Sequence, residues 1–390
     1  MAAQQQTPKA KAKVVDIHTH MYPPEYVKIL ESRNTIPLVR KFPGASDPRL
    51  VLLEAEVPLL ESVHQQDGNI PSVLPGRPLT RHFSSLDQKL HFMNTHNIDI
   101  SVISLANPWL DFLPPDEAGP AATSINDSFS SMCAAHPGRL FFFATLPLTA
   151  PISTLLSSIP LTAELPYCRG VILGTSGLGD GLDDPSLLPV FAALADANLT
   201  IFLHPHYGLP NVVFGPRATR GEYGHVLPLA LGFPMETTIA VTRMFLAGLF
   251  DSVPNLHMLL AHSGGTLPFL AGRIESCIAH DGVLVKKIRD GKRRSLWDVL
   301  RSQVYLDAVI YSEVGLKAAV EASGADRLMF GTDHPFFPPV RGEKGEEDGE
   351  WESVGLNVQA AVKAMGEGSE HYEGVMGGNA VKILRLYGDK

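Results

Sequence analysis

Eight short runs of apolar, β-branched or aromatic residues recur along the 390-residue chain, each separated from the next by a longer stretch. In order they are KVVDIHTH (13–20), IDISVISLAN (98–107), RLFFFATLP (139–147), CRGVILGT (168–175), LTIFLHPH (199–206), LHMLLAHS (256–263), QVYLDAV (303–309) and RLMFGTD (327–333). A strand that is apolar on both faces belongs in a parallel sheet covered by helices. Helical patterning lies between the runs, as in residues 84–97, 185–198 and 311–324, the last opening on Ser and closing on Gly as helices do. Eight strands alternating with helices predict an α/β chain folded as a closed (β/α)8 TIM barrel. Such barrels span roughly 200 to over 400 residues, so residues 1–390 read as one barrel domain.

Two interruptions break the alternation. Residues 21–83 hold several prolines, a GRP step at Gly76–Pro78 and little periodicity, and read as an insertion over the barrel mouth. Residues 207–233 form a second insertion after the fifth run. The RGEKGEEDGE stretch (341–350) reads as a solvated loop. Gly177, Gly179 and Gly181 lack a following Lys-Ser/Thr, so they read as a turn and not as a phosphate loop.

Charge and cysteine content narrow the function. With 32 Lys+Arg against 41 Asp+Glu the net charge is −9, opposite to the basic face a nucleic-acid partner needs. Cys133, Cys168 and Cys277 show no paired spacing, which argues against a disulfide framework. The N-terminal MAAQQQTPKAKAK is followed by no apolar signal core. The most apolar stretch (226–250) is broken by Pro228, Pro234, Glu236 and Arg243, so it reads as buried helix and loop, with no membrane span. The expected location is cytoplasmic.

Metal-ligating residue types collect at the ends of the runs. His18 and His20 close the first; two residues apart on a strand, their rings point to the same side. His204 closes the fifth run and Asp333 the eighth. Barrel enzymes build their sites at the C-terminal ends of the strands. Three imidazoles and a carboxylate there suit one Zn2+ or a similar divalent ion such as Mn2+. His262 closes the sixth run as a further ligand or an acid/base group. Residues 168–181 contain no Lys or Glu able to bridge a second ion, so one metal is expected. No G-x-S-x-G elbow is present, which disfavours a serine hydrolase.

Four motifs carry a family resemblance: HTH after the first strand, HPH after the fifth, AHSGG after the sixth and GTDHP after the eighth. Together, over roughly residues 13–340, they resemble the amidohydrolase superfamily. More closely they resemble its decarboxylase branch, typified by aminocarboxymuconate-semialdehyde and γ-resorcylate decarboxylases. Longer stretches, among them DIHTHMYPPEY, LPGRPLTRHF, FLHPHYGLPN, LLAHSGGTLPFLAGRIESC and LMFGTDHPFFPP, are similar to the fungal isoorotate (uracil-5-carboxylate) decarboxylases. The resemblance implies one Zn2+ per subunit held by His18, His20, His204 and Asp333. It implies substrate contacts from Arg77, Asn107, His262 and Phe336, with Arg273 reaching in from the second subunit of a homodimer. The implied substrate is a small planar carboxylic acid. The implied reaction is decarboxylation of uracil-5-carboxylate to uracil in thymine salvage, Asp333 giving the proton to the ring carbon and His262 standing as the alternative donor. Sister activities are decarboxylation of a salicylate-type acid (6-methylsalicylate or 2,6-dihydroxybenzoate) and metal-assisted hydrolysis of an amide or lactone. Arg77 has a planar fork suited to two oxygens, and Phe336 and Phe337 are suited to stacking on a ring. Without the resemblance Arg273 reads as a surface ion pair.

Overall fold

A computed structural model describes residues 13–65, 74–176, 181–285, 293–339 and 349–387. Each of the eight runs forms a strand: β1 (Val15–His20), β2 (Ile100–Ser104), β3 (Leu140–Thr145), β4 (Cys168–Gly174), β5 (Thr200–His204), β6 (Met258–Leu260), β7 (Val304–Asp307) and β8 (Leu328–Met329). They pair in chain order, every neighbour parallel. The ring closes where β1 meets the chain around the end of β8. Ile17 N–H donates to Phe330 O (3.0 Å), Asp333 N–H to His18 O (2.7 Å) and His20 N–H to His334 O (2.7 Å). The seam of this (β/α)8 barrel therefore runs through the very residues that bear His18, His20 and Asp333.

The continuous apolar runs are explained by burial on both faces, and all six residues of β1 are buried. Phe202 precedes His204 by two residues and so shares its face of β5. Its ring lies 5.0 Å from His18 and 5.4 Å from Phe143, an apolar floor under the histidines. The outer helices begin where the sequence offers caps. Ser85 accepts from Gln88 N–H before Leu86–Thr95, and Ser312 accepts from Gly315 N–H before Glu313–Ser323, which ends at Gly324 with φ of 102°. The apolar stretch 226–250 becomes a turn of π-helix (Pro228–Gly232) running into helix Phe233–Ala247. Among the described residues no helix is long and apolar enough to cross a membrane.

Residues 21–83 have more regular structure than their composition suggests. They hold helices Pro24–Glu31 and Val57–Gln65 and a small antiparallel sheet of Leu38–Arg40, Arg49–Val51 and Arg77–Pro78. Leu38, Phe42, Val51 and Leu60 give this unit its own small core. Strands of two or three residues are too short to display an alternating pattern. Gly177, Gly179 and residues 341–348 lie outside the described residues.

Candidate active site

Three histidines are held by their outer nitrogens. His18 Nδ1 lies 2.5 Å from Asp307 Oδ2, at the end of β7. The Ser104 hydroxyl donates to Thr19 O (3.4 Å), which leaves its oxygen to accept from His20 Nδ1 at 2.9 Å. His204 Nδ1 donates to Pro205 O at 2.8 Å. Fixing Nδ1 as the protonated nitrogen leaves each Nε2 as a lone-pair donor, the usual orientation of metal-binding histidines. The Nε2 atoms of His18, His20 and His204 are all buried without a hydrogen-bond partner.

Those atoms converge. Ring centroids stand 5.0 Å apart for His18–His20 and His20–His204, and 5.1 Å for His18–His204. Asp333 Oδ1 is 3.3 Å from His18 Nε2 and 3.6 Å from His20 Nε2, while Oδ2 is 3.6 Å from His262 Nε2. Charge-assisted hydrogen bonds run ~2.7–2.9 Å, so these atoms are gathered about a common centre without being bonded to one another. His18, His204, His262 and Asp333 offer ligand atoms that all lie within 4.8 Å of one another. Buried, partnerless imidazole nitrogens facing a carboxylate fit a divalent cation with nitrogen and oxygen ligands.

The electrostatics of the protein alone point the same way. Burial pushes His18 down, but Asp333 and Asp307 outweigh it and raise the ring to about 10. Burial lowers His20 to about 4 and holds His204 well below its ordinary value, in both cases with help from the charged His18. Burial alone would raise Asp333, yet the charge of His18 and the nearby imidazoles of His20 and His262 keep it well below the carboxylate range. By itself the cluster thus favours positive charge at the point where its ligand atoms meet.

Backbone strain gathers at the same rim. His262, Ser263, Tyr311 and Asp333 have φ between 52° and 59°, a left-handed region that costs non-glycine residues about 1–2 kcal/mol each. Such outliers persist where surrounding bonds over-determine them. Asp307 supplies several, accepting from His262 N–H (2.9 Å), Ser263 N–H (2.7 Å) and Val309 N–H (3.1 Å) as well as holding His18.

The remaining expected residues are placed as follows. Arg77 leaves the inserted sheet just after Gly76, whose φ is 72° and where a Cβ would strike Leu50 O. Glu56 accepts from Gly76 N–H (2.8 Å), and Arg49 donates to Pro75 O (2.7 Å) and Gly76 O, fixing that turn. The Arg77 guanidinium sits 5.0 Å over the Phe336 ring, which is itself 5.7 Å from His20. Asn107 is buried beyond β2, its Nδ2 donating to His206 O (2.6 Å) and its carbonyl accepting from Tyr22 OH (2.6 Å). His262 is 14% exposed, while His18 and His20 are fully sealed. Arg273 lies exposed on helix Leu267–His280, outside the cluster. His206 pairs loosely with Asp111 (3.4 Å) and His225 with Glu56 (3.7 Å).

Residues that spacing did not reveal lie behind the candidate ligands. Lys89, fully buried on Leu86–Thr95, reaches Thr19 Oγ1 and His334 Nδ1, both at 2.6 Å. Burial drives it down to about 7 against the pull of Asp16. Asp16 in turn accepts from His18 N–H (3.2 Å), Thr332 N–H (3.1 Å) and Thr332 Oγ1 (2.8 Å), tying β1 to the chain leading to Asp333. Leaving Thr19 Oγ1 and His334 Nδ1 without this buried donor costs about 1–3 kcal/mol. Lys89→Met should lower unfolding stability by that amount in a denaturant titration; an unchanged midpoint would show that both acceptors are satisfied without it.

The amidohydrolase family model matches residues 15–386, and the chain belongs to that family. It is 70% identical to the IDCase of Metarhizium anisopliae, whose apo crystal structure superposes with a TM-score of 0.91 over 96% of this chain and 97% of that one. It is 28% identical to the 2-amino-3-carboxymuconate-6-semialdehyde decarboxylase of Dictyostelium discoideum over 77% of this chain and 76% of that protein. It is also 28% identical to the γ-resorcylate decarboxylase of Rhizobium radiobacter, over 73% and 88% of the two chains.

Proposed function

We propose that this protein is a zinc-dependent, non-oxidative decarboxylase that converts uracil-5-carboxylate to uracil and CO2 in thymine salvage. The observation that carries this reading is the identity of 70%, along nearly the whole chain, with an isoorotate decarboxylase. The partnerless Nε2 atoms at the barrel rim support its metal dependence.

In this reading His18, His20, His204 and Asp333 hold the cation. His262, the only histidine of the cluster with appreciable exposure, is left to face the substrate. When bound, the cation supplies Lewis acidity and a template for two oxygens of the acid. Arg77 pairs its fork with substrate oxygens. Asn107 has its amide nitrogen committed to His206 O, which leaves its side-chain oxygen to accept a ring N–H. Phe336 covers the ring face. The proton comes from Asp333, with His262 as the alternative donor; Asp333, ionised in the protein alone, must gain its proton as the bound acid excludes water around it. His262 Nε2 stands 3.6 Å from Asp333 Oδ2, so the two candidate donors face the same point. Adding the proton to C5 forms a C–H bond; the C–CO2 bond then breaks, its electron pair returns to the ring and CO2 departs. Arg273 of a partner subunit would complete the site in a homodimer.

The deciding experiment incubates the zinc-loaded and manganese-loaded protein with uracil-5-carboxylate, orotate, 6-methylsalicylate and 2,6-dihydroxybenzoate, trapping CO2 and identifying products. Release of CO2 from uracil-5-carboxylate with uracil as product is expected. Preference for a benzoate would move the protein to the salicylate-type branch, which the likeness to the γ-resorcylate decarboxylase favours as a second reading. Incorporation of label from H2(18)O without CO2 release would make it a hydrolase. Arg77→Ala should raise KM for the acid on the order of 10- to 100-fold, the worth of a charged hydrogen bond, with bound metal unchanged; an unaltered KM removes Arg77 from the site.

A further inference from the structure

Beyond β7 the chain bends at Tyr311, whose φ of 57° is an unfavourable value for a large side chain. Two contacts hold it there. Asn357, fully buried on helix Glu352–Met365, accepts from Tyr311 N–H (2.9 Å) and Ile310 N–H (3.3 Å) through Oδ1, and its Nδ2 donates to Gly331 O (3.4 Å). One amide thus ties the Tyr311 backbone to the strand exit that carries Asp333. The tyrosine ring meets Phe337, at the barrel mouth, edge-on at 5.7 Å.

The hydroxyl is the unusual part. It is sealed from solvent and has no hydrogen-bond partner among the described residues. Buried tyrosine hydroxyls normally find one, and an unsatisfied group costs about 1–3 kcal/mol. Burial, reinforced by the charges of Asp333 and Asp307, keeps the phenol protonated. It is therefore a donor with nothing to donate to among the described residues, on a strained residue near enough to Asp333 and Asp307 to feel their charges. The missing acceptor is accounted for by a ligand that brings an oxygen to this place.

We propose that Tyr311 is a substrate-binding residue whose hydroxyl donates a hydrogen bond to a carboxylate oxygen of the bound planar acid. The assignment rests on reading the site as that of a decarboxylase. The carboxylate is the better acceptor because hydrogen bonds to a charged oxygen are roughly twice as strong as neutral ones. It is also the part of the substrate that must approach Asp333, while Asn107, from the end of β2, reads the ring elsewhere on the rim. The bond is lost when CO2 leaves, so Tyr311 favours the acid over the product.

Tyr311→Phe removes the hydroxyl and keeps the ring against Phe337. Equilibrium titrations of the metal-loaded protein would compare uracil with 5-nitrouracil, whose two-oxygen group stands in for the carboxylate and cannot leave. The variant should bind 5-nitrouracil on the order of 10-fold less tightly and uracil within about twofold of the parent. Its melting temperature should be equal or higher, because an unsatisfied buried hydroxyl has gone. Equal binding of 5-nitrouracil by both proteins overturns the assignment, as does an equal loss for both ligands, which would mark a structural role. The decarboxylase reading is judged separately, by CO2 release from uracil-5-carboxylate by the unmodified protein.

Discussion

Asp333→Asn should reduce decarboxylation on the order of 10³-fold, within the range that a positioned acid or base contributes, while the barrel stays folded. The substitution preserves shape, and asparagine is among the few residues that tolerate the left-handed backbone found here. The backbone bonds that close the barrel, from Asp333 N–H to His18 O and from Phe336 N–H to Asp333 O, do not depend on the side chain. The charge is what disappears. Asp333 is the main attraction that holds His18 at about 10 against burial, and its oxygens stand 3.3–3.6 Å from three imidazole nitrogens. An amide ligates poorly and carries no proton to C5. The checks are CO2 release under saturating acid, bound metal by elemental analysis and a circular-dichroism melt. Turnover within about tenfold of the parent, with metal retained, would give the proton-donating role to His262.

How much of this was legible beforehand follows from which interactions are local. The eight strands were readable because each is buried on both faces, a demand that writes itself into consecutive residues. The gathering of the candidate ligands was readable because each lies at or just beyond the C-terminal end of a strand. His18 and His20 share a face by strict alternation, and barrel closure brings His204, His262 and Asp333 to the same rim. The inserted sheet was not readable: its strands have two or three residues, and its register depends on the Gly76 turn held by Glu56 and Arg49. Lys89 sits in an amphipathic helix where a lysine is ordinarily solvated, and only the fold reveals that it is fully buried against Thr19 and His334. Arg273 shows the opposite limit. Its place on an exposed helix says nothing about a neighbouring subunit.

Asp307 is the clearest omission, and its removal should have the second largest effect. It lies in QVYLDAV as the only charged residue of an apolar run, a signal that spacing rules passed over because its partner, His18, is 289 residues away. The fully buried carboxylate accepts His18 Nδ1 and the N–H groups of His262, Ser263 and Val309. It therefore orients one ligand directly and fixes the strained turn that aims another histidine at Asp333. Asp307→Asn keeps the volume but replaces one acceptor oxygen with an NH2 group facing donors. Loss of such an outer partner typically weakens metal binding 10–100-fold, and leaving a buried donor unmatched costs about 1–3 kcal/mol. Competition with a chelator should thus show the bound divalent metal released at 10–100-fold lower chelator concentration, and melting should come earlier in the metal-free protein as well. Weakened metal binding with unchanged metal-free stability would confine Asp307 to setting the tautomer of His18; unchanged metal binding would mean that His18 keeps its orientation without it.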